Sequence, residues 1–200
     1  MDLVRINETS VQEFAMASGV QSVGWIPGGE FTGYLREIES RPEYDFHYRS
    51  HEKFKHAATP PPFARTLVVL LVDFFLAPPA AAEGFRISNY SRACWHNVGM
   101  AADKVIGYLR ARGWRAEMVD VPARAAAVKA GLGVIGKNTL FYAHGMGSYV
   151  GIGVIGTDLE LPRRPGTPDE SAGLKGKIGR LAARMRNLPE LLPHEPGCHA

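Results

Sequence analysis

Ala130-Gly131-Leu132-Gly133-Val134-Ile135-Gly136-Lys137-Asn138-Thr139-Leu140 sets three glycines close together and follows them at once with a cation, an amide and a hydroxyl. Glycine lets a backbone take positive φ and approach a bulky partner with no Cβ in the way. Lys137, Asn138 and Thr139 then offer donors to whatever that backbone approaches. The residues read as a loop gripping a large, partly anionic cofactor. Gly131 to Gly136 also fits G-x-G-x-x-G, the dinucleotide fingerprint, which requires a strand before it and a full helix after it. Pro122 to Ala130 is alanine-rich and reads as helix, and Phe141 to Met146 is too short for a crossover helix. A nicotinamide site is therefore not the reading taken.

Working outward, Trp114 to Val121 reads as a strand leading into that helix, and Ser148 to Thr157 as a strand leaving the loop. Gly151, Gly153 and Gly156 would spoil an ordinary strand, so something packs closely on its backbone, either a flat macrocycle or a helix. Val98, Ala101, Val105, Ile106 and Leu109 keep a helical period over Asn97 to Arg112, with Gly113 as the stop. Thr66 to Leu76 is a β-branched and leucine run with no alternation, the mark of a strand buried on both faces. Asp73 near its end is either a loop-end acid or a site group, since a buried carboxylate is costly. Nearer the start, Ser10-Val11-Gln12-Glu13 has the capping-box pattern of a helix start, with Val11, Phe14 and Ala15 inward and Gly19 as its stop. Val20 to Ile26 follows as a strand. Phe31, Tyr34, Leu35 and Ile38 recur at helical spacing over Glu30 to Ser40. Residues 41–63 read as a long loop bearing His47, His51 and His56, in which no complete metal-ligand set is visible.

Residues 1–162 carry 16 basic and 16 acidic side chains, so the formal excess lies wholly in the last 38 residues, with 7 and 4. A neutral main domain weakens a nucleic-acid-binding reading. Cys94 and Cys198 make no disulfide framework and suit a reducing cytoplasm. The N-terminus lacks a charged-then-apolar export signal, and no apolar run approaches a membrane span. A soluble cytoplasmic protein is expected, with one domain over 1–162 and a basic tail over 163–200. In that tail Leu174, Ile178, Leu181, Met185 and Leu188 mark a helical stripe.

Ala130 to Leu140 resembles the AGLGWIGKNTL signature of the epoxyqueuosine reductases, with Val134 in place of the tryptophan. Gly147-Ser148-Tyr149-Val150 and Thr157-Asp158-Leu159-Glu160-Leu161-Pro162 resemble two further segments of that family. Tyr90-Ser91-Arg92-Ala93-Cys94-Trp95-His96 is similar to its Tyr…Asp-Tyr-His stretch, with Cys94 and Trp95 replacing the aspartate and tyrosine. Reductive dehalogenases share a looser form of the pattern. The likeness covers roughly residues 64–162.

The resemblance implies an α/β (α+β) fold, a nitroreductase-like mixed sheet flanked by helices, with a helical C-terminal tail. It implies cobalamin as cofactor, held by Gly131, Leu132, Gly133, Gly136, Lys137, Asn138, Thr139, Ser148 and Tyr149. Lys137 would neutralise a phosphate of the cofactor tail. In this family a proton-donating aspartate precedes the glycine loop. Asp120 takes that place, three residues nearer the loop and without the family's Leu-Glu-Arg. Reductive dehalogenases donate from a tyrosine beside a cation, a part Tyr90 could take with Arg92. Epoxyqueuosine reductases continue with cysteine-rich runs for two 4Fe–4S clusters, each needing four thiolates, whereas this sequence holds two cysteines. An external low-potential donor, such as a ferredoxin or flavodoxin, is then implied, or a shortened remnant of the family. The first substrate implied is epoxyqueuosine in tRNA, with a small molecule as the other choice. A non-catalytic corrinoid carrier and a flavin nitroreductase-like enzyme are the two competing readings.

Overall fold

The computed structural model describes residues 8–29, 31–39, 59–74 and 94–162. Their order is α1 (Glu8–Ala17), β1 (Ser22–Pro27), α2 (Thr32–Glu39), β2 (Thr66–Asp73), α3 (Trp95–Arg110), β3 (Ala116–Met118), α4 (Ala123–Lys129), β4 (Gly133–Ile135), β5 (Phe141–Ala143) and β6 (Val150–Thr157). Four strands form a sheet in the order β1-β2-β6-β3, and β4 pairs with β5 as a separate hairpin. The expectations for the histidine loop over residues 41–58, for Tyr90 to Ala93 and for the basic tail lie outside the described residues.

β2 is central, and Leu67, Val68, Val69, Leu70 and Leu71 are fully buried. Its side chains alternate between two cores. Val68, Leu70 and Val72 join Val23, Trp25 and Ile155 beneath α1 and α3. Leu67, Val69 and Leu71 join Ile26 and Val154 beneath α4 and the hairpin. The expected class stands, with helices on both sheet faces. The sheet differs from the mixed one expected, because among the described strands every pairing is antiparallel. A central strand covered on both faces is apolar throughout whichever way its neighbours run.

The glycines of β6 answer to a helix. A Cβ on Gly151 would lie 2.5 Å from Val98 Cγ2 and 2.8 Å from Cys94 Sγ. One on Gly153 would lie 2.9 Å from Val98 Cγ1. α3 therefore rests against the strand backbone, and the macrocycle considered for these positions is excluded there. Gly156 faces the other core, where its Cβ would meet Val119 and Ala64.

Local signals held at helix ends better than at helix starts. Gly19 (φ 95°) and Gly113 (φ 89°) take the left-handed turn after α1 and α3, as expected of stop glycines. Ser10 instead lies inside α1, which begins at Glu8, so the capping box does not open the helix. α3 starts and ends two residues earlier than its periodicity indicates. Only Ala116–Met118 of the strand expected over residues 114–121 joins the sheet. Among the described residues no helix is long and apolar enough to cross a membrane.

Two α3-side glycines should respond oppositely to the same substitution. Gly151→Ala forces a methyl into Val98 and Cys94, and should lower stability by about 1–3 kcal/mol. Gly107→Ala, in α3 with nothing within 4 Å of the new methyl, should raise stability by up to about 1 kcal/mol. Urea midpoints at unchanged m-value read both, and equal shifts for the two variants would contradict the close packing.

Candidate functional site

The site expected from the sequence falls on one continuous unit, α4 followed by the β4–β5 hairpin and β6. Ala126 and Ala127 are fully buried, and their small side chains let α4 lie close on the sheet. The helix ends in a paired-bond turn. Gly131 (φ 74°) donates its N–H to the Val128 carbonyl at 3.0 Å, and Leu132 donates to Ala127 at 3.0 Å. Gly131 is thus the helix stop, and Leu132 is buried in the second core.

Gly133 and Gly136 are closed by their own hairpin. A Cβ on Gly133 would lie 2.2 Å from the Tyr142 carbonyl oxygen and 2.5 Å from the Phe141 ring. One on Gly136 would lie 2.7 Å from the Tyr142 ring. The glycines expected to lie open to a ring system are filled by β5. The loop expected here is a β-hairpin seated on the sheet at Gly24, whose Cβ would lie 3.1 Å from both Ala130 Cβ and Leu132 Cδ2.

The exposed part is the turn. Gly136 donates its N–H to the Leu140 carbonyl (2.8 Å), and Thr139 donates to the Gly136 carbonyl (3.0 Å). The Leu140 N–H donates to Asn138 Oδ1 (3.2 Å), while Asn138 Nδ2 donates to the Tyr142 hydroxyl (3.0 Å). From α4, the Arg124 guanidinium donates to the Thr139 carbonyl. Among the described residues Thr139 is the one non-glycine residue with positive φ, at 63°. Lys137, Asn138, Thr139 and Leu140 are exposed. These donors suit the anionic, amide-bearing edge of a large ligand, whereas the filled faces of Gly133 and Gly136 do not offer a cradle for one.

The remaining expected residues are dispersed around this unit. Asp120 is exposed in the link between β3 and α4, four positions before Arg124. Ser148 is half-buried and Tyr149 exposed, where the chain enters β6 after Gly145 and Gly147 at positive φ. The Tyr149 ring lies 5.7 Å from that of Phe74, whose N–H donates to the Tyr149 carbonyl at 3.3 Å. Asp73 is exposed at the same end of the sheet, and its N–H donates to Gln21 Oε1 at 2.6 Å. Arg124, Tyr34 and Tyr142 were not singled out. Arg124 meets Thr139 from 15 positions away, a contact that no local pattern signals.

No family model matches the chain. An epoxyqueuosine reductase from Pseudomonas aeruginosa is 27% identical to it over 183 residues, 82% of this chain and 51% of that protein. The chain thus spans about half the length of the curated relative it matches. An epoxyqueuosine reductase solved with an epoxyqueuosine-modified tRNA-Tyr stem loop superposes with a TM-score of 0.59 at 20% identity, covering 81% of this chain and 47% of that one. The fold is that of the epoxyqueuosine reductases. A reductive dehalogenase described with a mechanism for B12-dependent dehalogenation shares it too, at TM-score 0.52 and 18% identity, covering 84% of this chain and 22% of its own. The resemblance to epoxyqueuosine reductases drawn from the glycine segment and its flanks is borne out in sequence and in fold.

Two measurements follow from the site's local physics. A β-branched residue at left-handed φ costs on the order of 1–2 kcal/mol, and asparagine tolerates that conformation better. Thr139→Asn should therefore raise the urea midpoint by up to about 1 kcal/mol equivalent, and a lowered midpoint would refute the strain. Burial pushes the Cys94 thiol above its ordinary 9.0. It also pushes the Tyr34 phenol above its ordinary 10.0, an effect partly opposed by the Arg124 cation. The folded chain then keeps protons that the unfolded chain releases, so stability should fall as pH rises through 9.0 and then 10.0. Cys94→Ala should remove the first part of that fall, and a pH-independent midpoint over the range would contradict the shifts.

Proposed function

We propose that residues 1–162 form a corrinoid-binding reductase domain of the epoxyqueuosine reductase type, followed by a separate tail over 163–200. The observation that carries this reading is the placement of the family-like segments. Three of the four, Ala130 to Leu140, Gly147 to Val150 and Thr157 to Pro162, follow one another along the stretch from the end of α4 through the hairpin and β6 to the residues just after it. That stretch presents Lys137, Asn138 and Thr139 outward from a turn tied by hydrogen bonds. Cobalamin, when bound, would supply the low-potential cobalt chemistry, passing to the substrate electrons that it takes from a separate donor. The chain's own part is grip, orientation and a proton. Lys137 neutralises a phosphate of the cofactor tail, while Asn138 and Thr139 donate hydrogen bonds to its polar edge. Gly131, Leu132, Gly133 and Gly136 serve by shaping the hairpin that carries these donors. Ser148 and Tyr149 contribute where β6 begins. Asp120 holds the proton that passes to the substrate, with Tyr90 as the other candidate donor.

The substrate proposed first is epoxyqueuosine in tRNA, in keeping with the relative solved with a modified stem loop. A small molecule is the other choice, in keeping with the dehalogenase neighbour. The 200 residues include two cysteines, short of the four thiolates that one 4Fe–4S cluster takes. In this reading the electrons come from outside these residues, and the donor proposed is a ferredoxin or flavodoxin. A corrinoid carrier without turnover is the second reading, in keeping with the want of cluster thiolates within these residues.

Purified protein reconstituted with cobalamin should be red and retain cobalt close to one per chain. A yellow, flavin-bearing preparation, or one that retains no cobalt, would overturn the reading. With an external low-potential reductant, Asp120→Asn should keep its cobalt and lose about 10²–10⁴-fold in turnover. Undiminished turnover in that variant would remove Asp120 from its role, and absent turnover in the parent protein would select the carrier.

A further inference from the structure

We infer that Arg124 is the positioning residue of the Gly136–Leu140 turn, clamping its outward donors to α4 and hence to the segment bearing Asp120. The ligand side of this inference rests on the corrinoid reading above, while the clamp itself does not. Among the described residues, the turn's other hydrogen bonds come from within the hairpin, from Leu140, Gly136 and Tyr142. Arg124 alone reaches it from another element, donating to the Thr139 carbonyl.

The residue it holds is the strained one. Thr139 sits at φ 63°, a conformation that persists where surroundings over-determine it. A charge-assisted bond to its carbonyl fixes the peptide plane between Thr139 and Leu140, and with it the direction in which the donors of Lys137 to Thr139 face. The contact is exposed, so it adds little to global stability and is better accounted for by local order. The planar guanidinium aims that one donor from a rigid plane, which the freely rotating ammonium of a lysine matches only in charge.

The test uses the full chain, with Arg124→Ala and Arg124→Lys compared on three readouts. These are amide exchange at Gly136, Thr139 and Leu140 without cofactor, cobalamin affinity by absorbance titration, and the thermal midpoint. Arg124→Ala should speed exchange at those amides, weaken cobalamin binding by about tenfold, as loss of a charged hydrogen bond implies, and leave the midpoint nearly unmoved. Arg124→Lys should recover part of the affinity. Unchanged exchange in the turn of Arg124→Ala would overturn the clamp, whatever cobalamin does. So would a lowered midpoint with amides across the β1-β2-β6-β3 sheet quickened equally, which marks a general structural role. If the parent chain binds no cobalamin while Arg124→Ala still loosens the turn, the corrinoid reading fails and the clamp stands.

Discussion

β2 cannot face water on either side. Leu67 to Leu71 are fully buried in alternation, so both faces of the sheet must be covered. α1 and α3 cover one face, and α4 with the β4–β5 hairpin covers the other. Burying five such side chains removes enough apolar surface to stabilise the layers by on the order of 10 kcal/mol before entropy is counted, at about 1.5–3 kcal/mol each. The hairpin is thereby the lid of the second core, and its turn is what that lid presents to solvent.

Glycine does three separate jobs in this arrangement. Gly151 and Gly153 let α3 approach the β6 backbone, and Gly131 reverses the chain after α4. Gly133 and Gly136 let β5 close over β4. Gly133, Gly136, Gly151 and Gly153 are filled by their neighbours and leave no cradle for a cofactor, while Gly131 is open to solvent, so the candidate chemistry moves outward to Lys137, Asn138 and Thr139. A glycine-rich segment can thus shape an exposed turn of polar donors without its own glycines lining an open face.

The sequence made the helices and the central strand legible because their signals are local or unusually strong. The 3.6-residue period of Val98 to Leu109 located α3, and the run of leucine and β-branched residues from Thr66 located β2. The hairpin was not legible, since β4 and β5 are three residues each and show no alternation to count. Strand direction was hidden for a different reason, because double burial erases the polar face that marks antiparallel strands in most sheets. In the candidate site, the donors of the turn were legible by residue type and by resemblance. Arg124 was not, because its bond to Thr139 spans two elements and depends on how α4 and the hairpin pack.

At the centre of the account stands the turn Gly136–Leu140 as the part of the chain that meets a corrinoid. A crystal structure of the chain grown with cobalamin tests this most directly. Cofactor atoms within hydrogen-bonding distance of Lys137, Asn138 or Thr139, with the hairpin intact, are the predicted result. Cobalamin bound against another surface, with those three side chains still facing solvent, would contradict it.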